Sequence, residues 1–314
     1  MLRWISFMII VMIKRIVFCH IPKTGGYSFL KWVKPSIYAL NDVERRCDPL
    51  NIKQKLFQSE IIEIHGGNPR ALSDILGSET EHYLSESLLI SIIRNPIQQY
   101  ESLCKDAYVN KAYLDLPLAS RSFLNASLEG MYSQSYNDFH FDINSMFRMY
   151  ESFWLNKVSS PEDQAQHKEI QNFKSNHLFS QLSSRMVNSN YLFRRNAQSS
   201  YLNSVFERDF VINSIRSPGQ CILLTTELLD RAFAKLITNT KILKDFSIFS
   251  ESIDLDATNV AEKLLELRVN VTKRLTSATT TLSQENAYKY LELNKLDHTV
   301  WHVASSFWQQ ILDR

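Results

Sequence analysis

Glycine is almost absent from this chain, with seven residues in 314. So few positions of unrestricted φ should stand where a turn or a close backbone approach demands one. Most of them fall in two adjacent pairs, Gly25-Gly26 and Gly66-Gly67. Cysteine is rarer still: Cys19, Cys47, Cys104 and Cys221 lack CxxC spacing, which argues against a zinc site or a dense disulfide framework and suits a reducing compartment. Charge of neither sign is in excess. A formal net charge of +2 without a basic run excludes the electrostatic footprint of a nucleic-acid binder.

Long apolar runs are also lacking. The run Trp4 to Ile13 in MLRWISFMIIVMI is about half of the roughly 20 residues that cross a bilayer. Lys14-Arg15 stand where a signal peptide would need small residues for cleavage. Residues 1–13 therefore read as an apolar extension that is a first strand or a short interfacial segment, unless Met12 is the true start, and each of these is favoured over secretion. The expected location is cytoplasmic or peripheral to a membrane, with residues 14–314 as one domain. What the chain does have is core material: 44% hydrophobic residues, including 18 Phe, 13 Tyr and 5 Trp. That is ample for a large folded unit.

The pattern along the first third is strand, turn, helix, repeated. Arg15–His20 is rich in β-branched and aromatic residues and predicts a buried strand, with helical character from Gly26 to Val33, ending at Pro35. Ile61–His65 (IIEIH) predicts a second strand that stops at Gly66-Gly67, and Arg70–Leu76 a short helix. Leu88–Ile93 (LLISII) is an uninterrupted apolar run suited to a sheet covered on both faces, and Pro96 stands at the first turn of a helix. Cys221–Ile237 reads as another strand running into a helix. Near the carboxyl terminus Leu296, Val300, Val303, Phe307 and Ile311 form a stripe, with Trp301 and Trp308 read as core beside it. Such alternation implies an α/β fold with a mostly parallel sheet, whose ligand site lies beyond the carboxyl ends of the strands. PKTGG, HGG and RNP all fall at that edge.

The turn from Lys23 to Ser28 gathers an ammonium, hydroxyls and glycine-freed backbone N–H groups between a strand and a helix, which is the make-up of an anion site. Its lysine precedes the glycines, so the nucleotide-triphosphatase loop GxxxxGKS/T is absent. HIPKTGGYS, His20 to Ser28, resembles the loop HIPKTGGTS of the carbohydrate sulfotransferases, in the branch of the galactose 3-O-sulfotransferases and heparan sulfate uronyl 2-O-sulfotransferases. The single departure is Tyr27, where the family usually has Thr. A second stretch, ISIIRNPIQQYESL from Ile90 to Leu103, resembles the family's 3′-phosphate site, a strand-end Arg followed at fixed spacing by Ser. The late strand and the closing helices resemble the family more weakly, and Val109 to Gln220 is unmatched.

The resemblance implies a P-loop-like three-layer fold with a largely helical middle and carboxyl-terminal part. It implies 3′-phosphoadenosine 5′-phosphosulfate (PAPS) as sulfate donor and a carbohydrate or glycolipid acceptor. Lys23, Thr24, Gly25, Gly26, Tyr27 and Ser28 would hold the 5′-phosphosulfate, and Arg94 and Ser102 the 3′-phosphate, with Arg268, Lys273 or Arg274 as further contacts. Lys23 would meet charge on the leaving phosphate. His65 would be the base, with Glu63 either the base itself or the group that orients the imidazole, and His20 a structural residue that fixes the turn. No metal is called for. Arg194-Arg195 are a surface pair or an attraction for an anionic sugar, and the sequons at Asn125 and Asn270 are expected by chance. Two other classes stay open. One is a nucleotide kinase or triphosphatase, which the absent GKS/T and the lack of a clear strand-end Asp for Mg²⁺ oppose. The other is a binding protein of the same fold for 3′-phosphoadenosine 5′-phosphate (PAP) or glycan, without activity.

Overall fold

The computed structural model describes residues 13–34, 37–40, 49–65, 72–109, 143, 144, 147, 151, 195–206, 221–251, 256–267 and 281–314. Gly66-Gly67, Arg70, Arg194, Arg268, Lys273, Arg274, Cys47, Asn125 and Asn270 lie outside them, as do residues 1–12 and most of the unmatched middle. The chain divides into two compact units. One comprises Met1–Asn95, Gln198–Asn270 and Leu296–Arg314, and the other Pro96–Ala197 and Val271–Lys295.

The first unit is built on a parallel sheet of five strands: β1 (Arg15–His20), β2 (Ile37–Leu40), β3 (Ile61–His65), β4 (Ser87–Ile93) and β5 (Cys221–Thr225). Their order is β2-β3-β1-β4-β5, with every pair parallel. β1 and β4 are buried at every position, so their continuous apolar character reflects cover on both faces. The chain leaves β1 outward on one side through β2 and β3, then crosses to β4 and β5 on the other. The edge beyond β1 is therefore the point at which the winding reverses. All the strands run the same way, which brings His20, His65, Arg94 and Thr226 to one edge of the sheet.

On one face α1 (Gly26–Trp32) and α7 (Leu229–Asn239) cover the sheet. Phe29 and Trp32 of α1 meet Phe233 of α7, and Phe18 of β1 stacks against Phe29. Leu229, Ala232, Phe233, Leu236 and Ile237 recur at helical spacing on the buried face of α7, against Val260 and Leu264 of α9 (Ala257–Glu266). Asp256 caps α9 by accepting from Asn259 N–H at 3.3 Å. Ile13, the last residue of the amino-terminal apolar run, packs against this core. Between the strands lie α2 (Pro49–Gln58), α3 (Leu72–Leu76) and α4 (Thr80–Ser85), and α8 (Lys241–Phe246) follows α7.

The closing helix α11 (Lys295–Leu312) corrects the expected stripe. Its buried residues are Asp297, Val300, Ala304 and Trp308, whereas Leu296 and Val303 are 39% and 40% exposed. Trp308 sets this rotation: its indole N–H donates to Leu223 O at 2.7 Å, covering the open edge of β5. Phe307 and Ile311 pack only at the margin of the core, and Trp301 is half-buried. Among the described residues no helix is long and apolar enough to cross a membrane.

In the second unit α5 (Pro96–Val109) begins at its proline, and α10 (Gln284–Leu293) is capped by Ser283. Tyr100 of α5 lies 4.7 Å from the Tyr290 ring of α10, with Phe147 against both. Glu101 accepts from Leu282 N–H at 3.0 Å. Arg195 donates from Nε to Leu293 O at 2.9 Å, so its guanidinium serves the end of α10.

Candidate functional site

The turn after β1 is shaped by two residues in the left-handed region, Lys23 at φ 65° and Gly25 at φ 94°. Glycine adopts this freely, but a lysine there costs about 1–2 kcal/mol, so surrounding contacts must hold it. Two do. Arg94 Nη1 donates to Lys23 O at 3.2 Å, and Thr226 Oγ1 lies 2.6 Å from Thr24 O and 3.1 Å from Ile93 O. Both consecutive carbonyls of the turn thus point toward the exits of β4 and β5. Because a trans peptide sets C=O and the next N–H in opposite directions, the N–H groups of Thr24 and Gly25 point away from those exits. Lys23 is half-buried.

The glycine pair divides its duties. Gly25 is required by its φ, whereas a Cβ on Gly26 would lie 2.2 Å from Cδ2 and Nε2 of His20. The second glycine is therefore needed by an imidazole from below, a close approach rather than room for a ligand above. His20 is buried, and its Nδ1 lies 2.6 Å from Oε1 of Glu63 on the neighbouring strand. Tyr27 is 59% exposed and presents its ring edge-on to His20, centroids 5.2 Å apart. Of the loop hydroxyls, Thr24 Oγ1 donates to Ile21 O at 2.8 Å, and Thr24 is buried. Ser28 is 2% exposed in the first turn of α1.

The carboxylate of Glu63 engages His20, because the parallel register sets Glu63 opposite Phe18, one step from His20 on the same face. His65 ends β3 directly opposite His20, which puts its backbone at the loop's edge of the sheet; its side chain lies outside the described residues. Arg94 follows β4 and is brought onto the Lys23 loop. Ser102 is on α5 in the second unit and is 9% exposed. Cys19, next to the loop, is buried, and burial pushes its thiol well above the ordinary value, with Cys221 adding to the effect. It is not a thiolate nucleophile.

Comparison of the chain with protein families, characterised proteins and solved structures finds no match. The functional reading rests on the residues and their geometry.

Four residues at this edge carry no mark in the sequence reading. Thr226 ties the loop to β5. Glu227 accepts from Asn95 N–H at 3.0 Å with one oxygen and from Trp301 Nε1 at 3.2 Å with the other. Gln198 holds the backbone of Arg94, and Asp297 holds Gln198. A signal for the first two existed: Thr226-Glu227 directly follow a strand whose parallel direction puts its exit at the site. Beside them opens a cavity of about 300 Å³ lined by Glu227, Leu228, Trp301, Ser305, Ser306 and Gln309. Among the described residues no group of three or more His, Cys, Asp or Glu could hold a metal ion.

Proposed function

We propose that the protein is a PAPS-dependent sulfotransferase of the P-loop-like three-layer type, acting on a carbohydrate hydroxyl. The observation that carries this reading is the Lys23–Gly25 turn, whose two consecutive carbonyls are both tied back, by Arg94 and by Thr226, so that the N–H groups of Thr24 and Gly25 turn away from those partners in the same turn as Lys23. That arrangement is complementary to a tetrahedral oxyanion. In this reading the loop binds the 5′-phosphosulfate, with Lys23 as its cation, and the positive charge of Arg94 attracts the 3′-phosphate. The acceptor oxygen attacks sulfur as the bond from sulfur to the phosphate oxygen breaks. His65 takes the hydroxyl proton, and Lys23 meets the charge left on PAP.

Calorimetric titration tests the reading. PAP should bind with micromolar affinity, and ATP with Mg²⁺ should bind more weakly; the reverse order would replace the sulfotransferase by a nucleotide kinase. With radiolabelled PAPS and a panel of glycans, Lys23→Ala and His65→Ala should each lower transfer roughly a hundredfold or more while remaining folded. An unchanged rate removes that residue from the mechanism.

A further inference from the structure

We infer that Gln198, itself held by Asp297, is the positioning residue for Arg94 and through it for the Lys23–Gly25 turn; this rests on the phosphosulfate reading of that turn. β4 ends at Ile93 and α5 begins at Pro96, so the backbone of Arg94 has left the sheet ladder without entering a helix. Its N–H donates to Gln198 Oε1 at 2.8 Å, and its C=O accepts from Gln198 Nε2 at 2.8 Å. A primary amide is the side chain that offers a donor and an acceptor in one plane. Gln198 therefore pairs with the Arg94 backbone as a neighbouring strand would. With the backbone clipped on both sides, the guanidinium is directed onto Lys23 O, the contact that holds Lys23 in the left-handed region.

The clip is itself rigid. Gln198 lies in the first turn of α6 (Ala197–Phe206), and Asp297 of α11 caps that helix from a distant part of the chain. Its two oxygens accept from Gln198 N–H at 3.0 Å, Ser199 N–H at 2.9 Å and Ser199 Oγ at 2.5 Å. Gln198, Ser199 and Asp297 are each at most 3% exposed, so water does not replace these bonds readily. One turn on, Tyr201 OH donates to Ile64 O at 2.7 Å. Helix α6 thus fastens to the exits of β4 and β3, the two strands that flank β1. The turn after β1 lies between those anchors.

The test follows amide hydrogen exchange in the peptide containing Lys23–Gly26, with PAP titration in parallel. Gln198→Ala should speed exchange of that peptide about tenfold and weaken PAP binding about tenfold. Gln198→Glu keeps the acceptor for Arg94 N–H without the donor, and should fall between. Leu264→Val, a core change in α9, supplies the control for general loss of stability. Exchange that is unchanged in Gln198→Ala, or raised equally by Leu264→Val at matched loss of Tm, overturns the positioning role. A wild-type protein that binds no PAP would discard the sulfotransferase reading, while the exchange comparison would still decide the clip.

Discussion

At Gly26 the backbone and an imidazole share a space too small for one methyl group. Gly26→Ala should therefore cost about 1–3 kcal/mol by overpacking. In a His20→Ala background the same change should cost less, with a coupling of about 1 kcal/mol or more. Urea unfolding of the four proteins measures it, and an equal cost in both backgrounds would show that His20 is not the obstacle. Lys23 separates stability from function at a single position. Lys23→Gly should be more stable than Lys23→Ala by about 1 kcal/mol, since only glycine takes φ 65° without strain, yet both should lose transfer. The loop was legible in the sequence because rare glycines and a lysine mark it within one short stretch. The reason for its second glycine was not, because Glu63 and His20 meet through strand register, which no local pattern encodes.

Among the elements, the strands of the first third were readable because burial on both faces leaves an unbroken apolar run. β2 was not: it has four half-buried to buried residues at the edge of the sheet, with no alternation to announce it. The face of α11 was misread because apolar periodicity alone weighed Leu296 and Val303 equally with Val300, while the helix is oriented by the Trp308 bond and by the buried carboxylate of Asp297. That carboxylate gives α11 a pH dependence. Burial pushes the Asp297 carboxyl above its ordinary value, against the lowering effect of its bonds from Ser199 and Gln198. A raised pKa means that the folded state holds the proton more tightly than the unfolded one. The resulting stability is full below the unfolded pKa and is lost as pH rises through the folded one. The Tm of wild type minus that of Asp297→Asn should accordingly shrink from the acid side of the carboxylate range toward neutrality. A constant or growing difference would refute the assignment.

For the whole molecule, Cys19 offers a probe of cooperative opening, because β1 is the central strand and Cys19 is fully buried in it. A thiol reagent should reach it only through global unfolding of the first unit, at a rate that stops rising with reagent concentration once labelling outpaces reclosing. Labelling on the timescale of a free thiol would contradict the burial. At this scale the sequence spoke least. The α/β class and the edge of the sheet that carries the site follow from strand–helix alternation, but Gln198, Glu227 and Asp297 reach that edge through contacts between residues far apart in the chain.

The clips on the Lys23 turn also have an order in time. Lys23 and Thr24 leave a ribosome well before the groups that hold their carbonyls, which are 71 and 202 positions further along the chain. Asp297 comes later still. A nascent chain that has completed β1, β3 and β4 has a parallel sheet to build on but nothing to keep a lysine in the left-handed region. Contacts of such separation form late because the intervening chain must first be closed into a loop. The Lys23–Gly25 turn, though translated before all of these groups, is thus among the last of the described parts to mature, and its protection from hydrogen exchange would report that Arg94, Thr226 and Asp297 have arrived.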